Sequence, residues 1–480
     1  MTGVREVRAL ARGKAGRARS LSDRYAALFG LAMVCAMLAQ PVSSAFQAMA
    51  APPRPEQAGA GLALVVLVLA GLLWAARAIG PVVLSAANAT WLLLSPLDRR
   101  GVLGRSARTL LLVSLVAGVG LGLAALAVTG APDHLVWRLV GALVAGVSVS
   151  AGGMAIAVLA QTSDPWDLAL KAVIAALVAA AAVLMLLADR NVLATLPAPA
   201  WSAVPAVLSA LLVRQAWSAL GRLPARRLLS SSARAGHLAN ATVSLDPSLL
   251  SWMAEDNHWR GARLRSRRWP GLPAVFAPAW QEVLRLARRP GRLAVLAGST
   301  AAPLLLTQAT AGTAGPAVAA LVLGGGLAAA ASAVSGARWD ADNPALARLL
   351  ALPERGVTAA RAVLPALLAA AWMSAALILL PGTAGPLLWF APLAAPALAA
   401  AALRMARRAP VNHAMPVLDT GTGAIPTGPL LWALTGLDLA LVGCFPMALA
   451  LVSGFSGVLL AVQAIAGVAV LAAYVSRRRA

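Results

Sequence analysis

Two short polar stretches interrupt long apolar runs and carry most of the residues able to do chemistry. They are Ser95-Pro96-Leu97-Asp98-Arg99-Arg100-Gly101-Val102 and Leu352-Pro353-Glu354-Arg355-Gly356-Val357. Laid over each other at a separation of 255 residues, Asn88–Val102 and Asn343–Val357 share Asn88/Asn343, Leu94/Leu349, Leu97/Leu352, Arg100/Arg355, Gly101/Gly356 and Val102/Val357. Arginine beside a bend suits a charge-assisted contact with an acidic surface. Ser95, Pro96 and Asp98 read as a helix start, with serine as cap, proline in the first turn and an acid three residues on. Asn343-Pro344 gives a similar start in the second stretch. Gly101 and Gly356 are expected to supply the bend. The plainer reading is an interfacial elbow whose arginines mark the inner membrane face. That accounts for the charge but not for its appearing twice in one pattern.

Other chemistry is sparse. Asp167 and Asp438 each open the sequence Asp-Leu-Ala-Leu. They are candidates either for gating or ion coupling, or for acids that complement a helix N-terminus. A proton-coupled carrier usually holds intramembrane acids or histidines, and few acids lie near these apolar runs. His134, His237, His258 and His413 fall in separate loops, and no Ser/His/Asp or HExxH arrangement is visible. The two cysteines, Cys35 and Cys444, sit in apolar segments, so neither a disulfide framework nor a metal site is expected. A P-loop needs a glycine-rich turn ending in Lys-Ser/Thr. The only lysines, Lys14 and Lys171, do not provide one. No catalytic residue, cofactor or metal is therefore expected in this chain.

The elements that position these residues are dictated by composition. Of 480 residues 60% are hydrophobic and 12% charged, against about 25% charged in soluble domains. The apolar residues come in blocks of about 20, the length of a membrane-crossing helix, without the short alternating segments of a membrane barrel. The expected class is an all-α polytopic membrane protein. Twelve spans are expected, roughly at 25–45, 61–80, 109–129, 138–160, 168–188, 201–220, 293–311, 316–335, 362–381, 387–404, 437–453 and 456–475. With the N-terminus inside, 37 of the 40 Lys and Arg residues fall in inner segments and 3 in outer loops. By the positive-inside rule both termini are then inside. The net charge of +23 follows this topology, with no interleaved aromatic signature of nucleic-acid binding.

Further matches support an internal repeat. Glu6–Arg12 (EVRALAR) precedes the first span and Glu282–Arg288 (EVLRLAR) the seventh, and the two Asp-Leu-Ala-Leu sequences open the fifth and eleventh. Six spans per copy is an even number, so the copies are parallel, related by an axis along the membrane normal. The expected organisation is a first six-helix repeat at 1–221 with an N-terminal amphipathic connecting helix, a basic cytosolic linker at 222–277, and a second repeat at 278–480.

A basic amphipathic helix, a six-span unit and a cytosolic elbow between its second and third spans together resemble the membrane subunit of an ABC-2 type ABC exporter. The doubled form is similar to poorly characterised two-repeat permeases of high-GC bacteria. The resemblance implies a multi-pass permease of the bacterial cytoplasmic membrane, with ATP and Mg bound by a separate ABC ATPase subunit, a dimer, and room for further subunits. It implies that Ser95–Val102 and Leu352–Val357 are the coupling elements. Asp98 faces Pro353 in the alignment and Arg99 faces Glu354, so the two are not identical. An ion-coupled carrier and a membrane scaffold without an ATPase partner remain the alternatives.

Overall fold

The structure is a computed structural model. It describes residues 55–84, 98–130, 134–186, 203–243, 269–271, 273–310, 314–345, 352–383, 385–409, 415–419 and 424–476, with a few isolated positions between them. The expected first span, the helix Glu6–Arg12 and Ser95, Pro96 and Leu97 lie outside these residues. The chain divides into two compact units, Met1–Gly236 and His237–Ala480.

The first unit contains α1 (Pro55–Ile79), α2 (Arg99–Thr129), α3 (Leu135–Ala160), α4 (Asp164–Leu186) and α5 (Ala203–Ala219), the last continued by a 3-10 turn at Leu220–Arg222. Apolar residues surround most of these helices, as lipid-facing helices require. α3 is the hub, packing against α1, α2, α4 and α5. The helix α6 (Ala225–Val243) carries the boundary between the units. The segment expected as linker, 222–277, thus begins with this helix. Leu228, Ser231 and Ser232 of α6 are buried, and Ser232 Oγ accepts from the Leu84 N–H at 3.1 Å.

The second unit contains α7 (Ala277–Ala287), α8 (Pro290–Ser299), α9 (Ala302–Ala309), α10 (Gly315–Ala331), α11 (Ser335–Asp342), α12 (Glu354–Leu379), α13 (Phe390–Ala406), α14 (Thr427–Leu434), α15 (Leu437–Ser453) and α16 (Gly457–Ser476). A two-stranded antiparallel hairpin, β1 (Val417–Asp419) with β2 (Ala424–Pro426), precedes α14. Here α13 is the hub, packing against α10, α12, α15 and α16. Every helix pair of the first unit's α1–α5 core has a counterpart: α1–α2, α1–α3, α1–α4, α2–α3, α3–α4 and α3–α5 correspond to α10–α12, α10–α13, α10–α15, α12–α13, α13–α15 and α13–α16. The second unit adds contacts of α16 with α12 and α15.

Eight helices among the described residues are long and apolar enough to cross a membrane, and α10 with α11, bent by 55°, makes a ninth if counted as one. The protein is thus a helical multi-pass membrane protein. The expected span at 293–311 is two short helices. Ser299 and Thr300 hydroxyls donate to the Leu296 and Ala297 carbonyls, competing with the helix ladder at the break. Pro303 then restarts the chain in the first turn of α9, where its missing N–H costs nothing.

Candidate functional site at the helix ends

The first elbow ends where Asp98 caps α2. Its carboxylate accepts from the Arg100 and Gly101 N–H groups, each at 3.2 Å, satisfying two of the orphan donors of a helix start. The second elbow ends at Pro353, the N-cap of α12, followed by Glu354 in the first turn, where an acid complements the dipole. The first helical residues, Arg99 and Glu354, stand 255 residues apart, the separation of the sequence alignment. Gly101 and Gly356 are first-turn helical residues, not bends, and neither has positive φ. The bend read from these glycines is replaced by helix starts immediately before them, at Arg99 after the Asp98 cap and at Glu354 after Pro353.

The arginines of the two elbows are used differently. Arg99 Nη1 donates to the Leu223 carbonyl at 3.2 Å, and Arg100 Nη2 to the Ser218 carbonyl at 2.8 Å. Both cover the carbonyl end of α5 and its 3-10 turn, where cations are favoured. Arg355 is exposed, beside exposed Pro353 and Glu354.

Asp167 and Asp438 occupy corresponding first-turn positions of α4 and α15. Asp167 is clamped by Arg77, from the last turn of α1, through two hydrogen bonds of 2.6 and 3.0 Å, and by Lys171 at 2.9 Å. Asp438 accepts from Arg404, in the last turn of α13, at 2.6 Å, and from the Gly436 N–H at 2.8 Å. In each case an arginine at a helix C-terminus meets an aspartate at a helix N-terminus, so each charge also complements the dipole of its own helix. The helix-end reading of these acids accounts for the geometry. Arg227 of α6 adds to this layer, reaching the Ala160 and Gln161 carbonyls and Asp164 Oδ1. In the second unit Arg408 Nε donates to the Thr435 carbonyl at 2.8 Å and stacks over Trp432.

Sequence reasoning missed a buried charged network in the second unit. Arg361 of α12 donates to Glu282 of α7, to Asp340 of α11 through two nitrogens, to Gln281 and to the Pro278 carbonyl. Glu282 also accepts from the Gly336 N–H at 2.6 Å. The network fastens the amphipathic α7 to α11, just beyond the 55° bend, and to the start of α12, bracing the second elbow from behind. Its signal was Arg361 itself, a lone cation at the edge of an apolar run, which must find a partner or leave the membrane. At the same 255-residue separation the first unit has Ser106 for Arg361 and Ser85 for Asp340. Ser106 simply donates to the Val83 carbonyl at 2.8 Å.

No curated protein and no solved structure matches the chain. One family model matches residues 54–416, a range that takes in both elbows, both hub helices and the Arg361 network. By that match the protein belongs to the family of unknown function DUF6297.

Proposed function

We propose that the protein is the membrane-spanning permease subunit of an ATP-driven ABC-type exporter in the bacterial cytoplasmic membrane. In this reading twelve spans form two parallel six-helix repeats with both termini inside, and the elbows dock a separate ATPase subunit that holds ATP and Mg. The observation that carries it is the recurrence of one set of helix neighbours in both units, with a helix start at the same register after each elbow. The two elbows are unequal. Both Arg100 and Arg355 are exposed, but Arg100 is turned onto a carbonyl of its own unit, whereas Arg355 stands on a braced base. The second elbow therefore takes the larger share of docking.

The test is affinity purification of the tagged chain from its own membrane. A P-loop ATPase should copurify. A charge-assisted contact contributes roughly 1.5–3 kcal/mol, so Arg355→Glu should weaken that association about ten- to a hundredfold. Arg407→Glu is the control, because Arg407 donates to Thr358 Oγ1 inside the second unit at 3.0 Å. Purification to homogeneity without any ATPase, from cells in which the chain is functional, overturns the reading.

A further inference from the structure

The chain turns from α7 into α8 through Arg285-Leu286-Ala287-Arg288-Arg289-Pro290-Gly291-Arg292, four arginines in eight residues with no acid among them. Arg289 is the N-cap of α8, where an arginine has no acceptor to offer the exposed N–H groups. Arg292 follows in the first turn, and that turn contains no acid. A helix N-terminus carries partial positive charge and favours an anion. Two arginines at that end sharpen the demand.

Arg285, Arg289 and Arg292 line a small polar pocket together with Ser332 and Ser335, which bracket the bend between α10 and α11. Its interior is about 10 Å³, room for one oxygen atom, and with its open mouth it measures about 200 Å³. Glu282 is the acid in the lining, and its carboxylate is already engaged. Oε1 accepts from Arg361 and from the Gly336 N–H, and Oε2 accepts from Ser335 at 3.3 Å. Arg285 Nη1 donates to Ser335 Oγ at 3.5 Å. Ser332 distinguishes this pocket from a surface patch of arginine. It is 6% exposed, and its hydroxyl makes no hydrogen bond among the described residues. Buried Ser114, Ser148 and Ser231 each donate to a carbonyl one turn back in their own helices. Ser332 does not, and a buried hydroxyl left unmatched is costly.

We propose that this pocket is a seat for a phosphate group, with one oxygen accepting from Ser332 inside and the others from the arginines at the mouth. Guanidinium forks match phosphate oxygens in pairs. Three forks and a hydroxyl offer more donors than the two oxygens of a carboxylate can use. Just beyond Arg292, α8 turns apolar and exposed at Leu293 and Val295, as a surface entering lipid does. A lipid headgroup is therefore the expected carrier of the phosphate, since basic pockets between membrane helices bind such groups. Free phosphate is the other source. The site does not depend on what the elbows dock.

The experiment is native mass spectrometry of the purified full chain in detergent, titrated with phosphatidic acid or with diacylglycerol of the same acyl chains, which differ only in the phosphate. Inorganic phosphate alone is titrated in parallel by equilibrium dialysis. The wild type should retain phosphatidic acid at concentrations where diacylglycerol is lost. Displacement of that lipid by inorganic phosphate supports a seat open to free phosphate, and resistance to displacement supports one filled by a headgroup. Ser332→Ala should weaken phosphate retention about tenfold or more, as loss of a hydrogen bond to a charged group does. It should not lower the thermal midpoint of the ligand-free protein, because the hydroxyl has no bond to lose. Arg292→Gln should weaken retention about as much, and Arg292→Lys less. Arg288→Gln, between the lining arginines in sequence but outside the lining, should leave retention near that of the wild type. Equal retention of the two lipids together with no saturable binding of inorganic phosphate overturns the proposal. So does wild-type retention in Ser332→Ala, or equal loss in Arg288→Gln and Arg292→Gln, which would reduce the site to diffuse surface charge.

Discussion

Arg361 Nη1 lies 2.8 Å from Glu282 Oε1, with side-chain exposures of 3% and 1%. The pair joins helices 79 positions apart in sequence and leaves Glu282 no route to water. Its geometry depends on Gly336, because a Cβ there would stand 1.9 Å from Glu282 Oε1 and 2.1 Å from Arg361 Nη1. Removing one partner of a buried ion pair costs about 3–5 kcal/mol, whereas replacing both with apolar groups is often near neutral. Arg361→Met should therefore destabilise the protein by about that amount, and Gly336→Ala comparably. The double variant Arg361→Met/Glu282→Leu should recover part of the loss. Equilibrium unfolding in mixed micelles reads all three. A wild-type midpoint for Arg361→Met would show that the pair carries no stability.

The α2–α3 crossing rests on backbone meeting backbone. A Cβ on Gly146 would lie 2.4 Å from the Gly118 carbonyl oxygen, and one on Gly122 would lie 2.5 Å from that of Ala142. Small residues let membrane helices approach this closely. Gly146→Leu should force the helices apart, at the roughly 1–3 kcal/mol or more of overpacking. Gly120→Leu is the matched control, since nothing lies within 4 Å of its Cβ position. Thermal midpoints of the two variants should differ clearly, and equal midpoints would remove the crossing as a determinant of stability.

Much of this architecture was legible in the apolar runs, because a bilayer forces backbone bonding inside each segment and so ties hydropathy to helices. The elbow alignment was legible too, since the helix starts at Arg99 and Glu354 repeat its 255-residue separation. Asp167 and Asp438 were recognisable as helix-end acids, but not their partners. Nothing local to Arg77 or Arg404 says which N-terminus each will meet. The bend assigned to Gly101 and Gly356 failed because glycine permits a bend without requiring one, and Asp98 had already fixed a helix start. Arg361 escaped because its partners, Glu282 and Asp340, come from a surface helix and from beyond a kink. That convergence is set by packing rather than by spacing.

Topology is open to a direct check. Both termini inside requires the α2–α3 loop to be outside and α6 inside. A cysteine at exposed His134 should react with an impermeant maleimide in intact cells, and one at exposed Ala233 only after lysis. Background labelling is measured with the parent in which Cys35 and Cys444 are replaced. The opposite pattern would invert the arrangement and put the basic helix ends on the outer face.

The interior of α15 contains Pro446, which removes one ladder donor and crowds the carbonyl of Val442. The adjoining groups are held from outside the helix. Gln463 of α16 donates through Nε2 to the Gly443 carbonyl at 2.7 Å and accepts from the Met447 N–H at 3.0 Å. Gly467, one turn on, lets α16 come close to α13, as a Cβ there would stand 2.0 Å from the Leu393 carbonyl oxygen. A fully buried glutamine is costly unless satisfied, and these bonds satisfy it and the proline step together. Gln463→Leu should therefore lose about 1–3 kcal/mol by leaving buried backbone groups unmatched. Pro446→Ala returns the N–H that bonds the Val442 carbonyl and removes the ring's crowding of that turn, so the Met447 N–H and Gly443 C=O are free to close on each other. In that background Gln463→Leu should cost less, with a coupling of roughly 0.5 kcal/mol or more. A double-mutant cycle of unfolding free energies measures this coupling. Equal cost of Gln463→Leu in both backgrounds would mean that the side chain acts by packing alone. A coupling of the expected sign would identify Gln463 as the strut that supports the turn around Pro446 within a continuous helix.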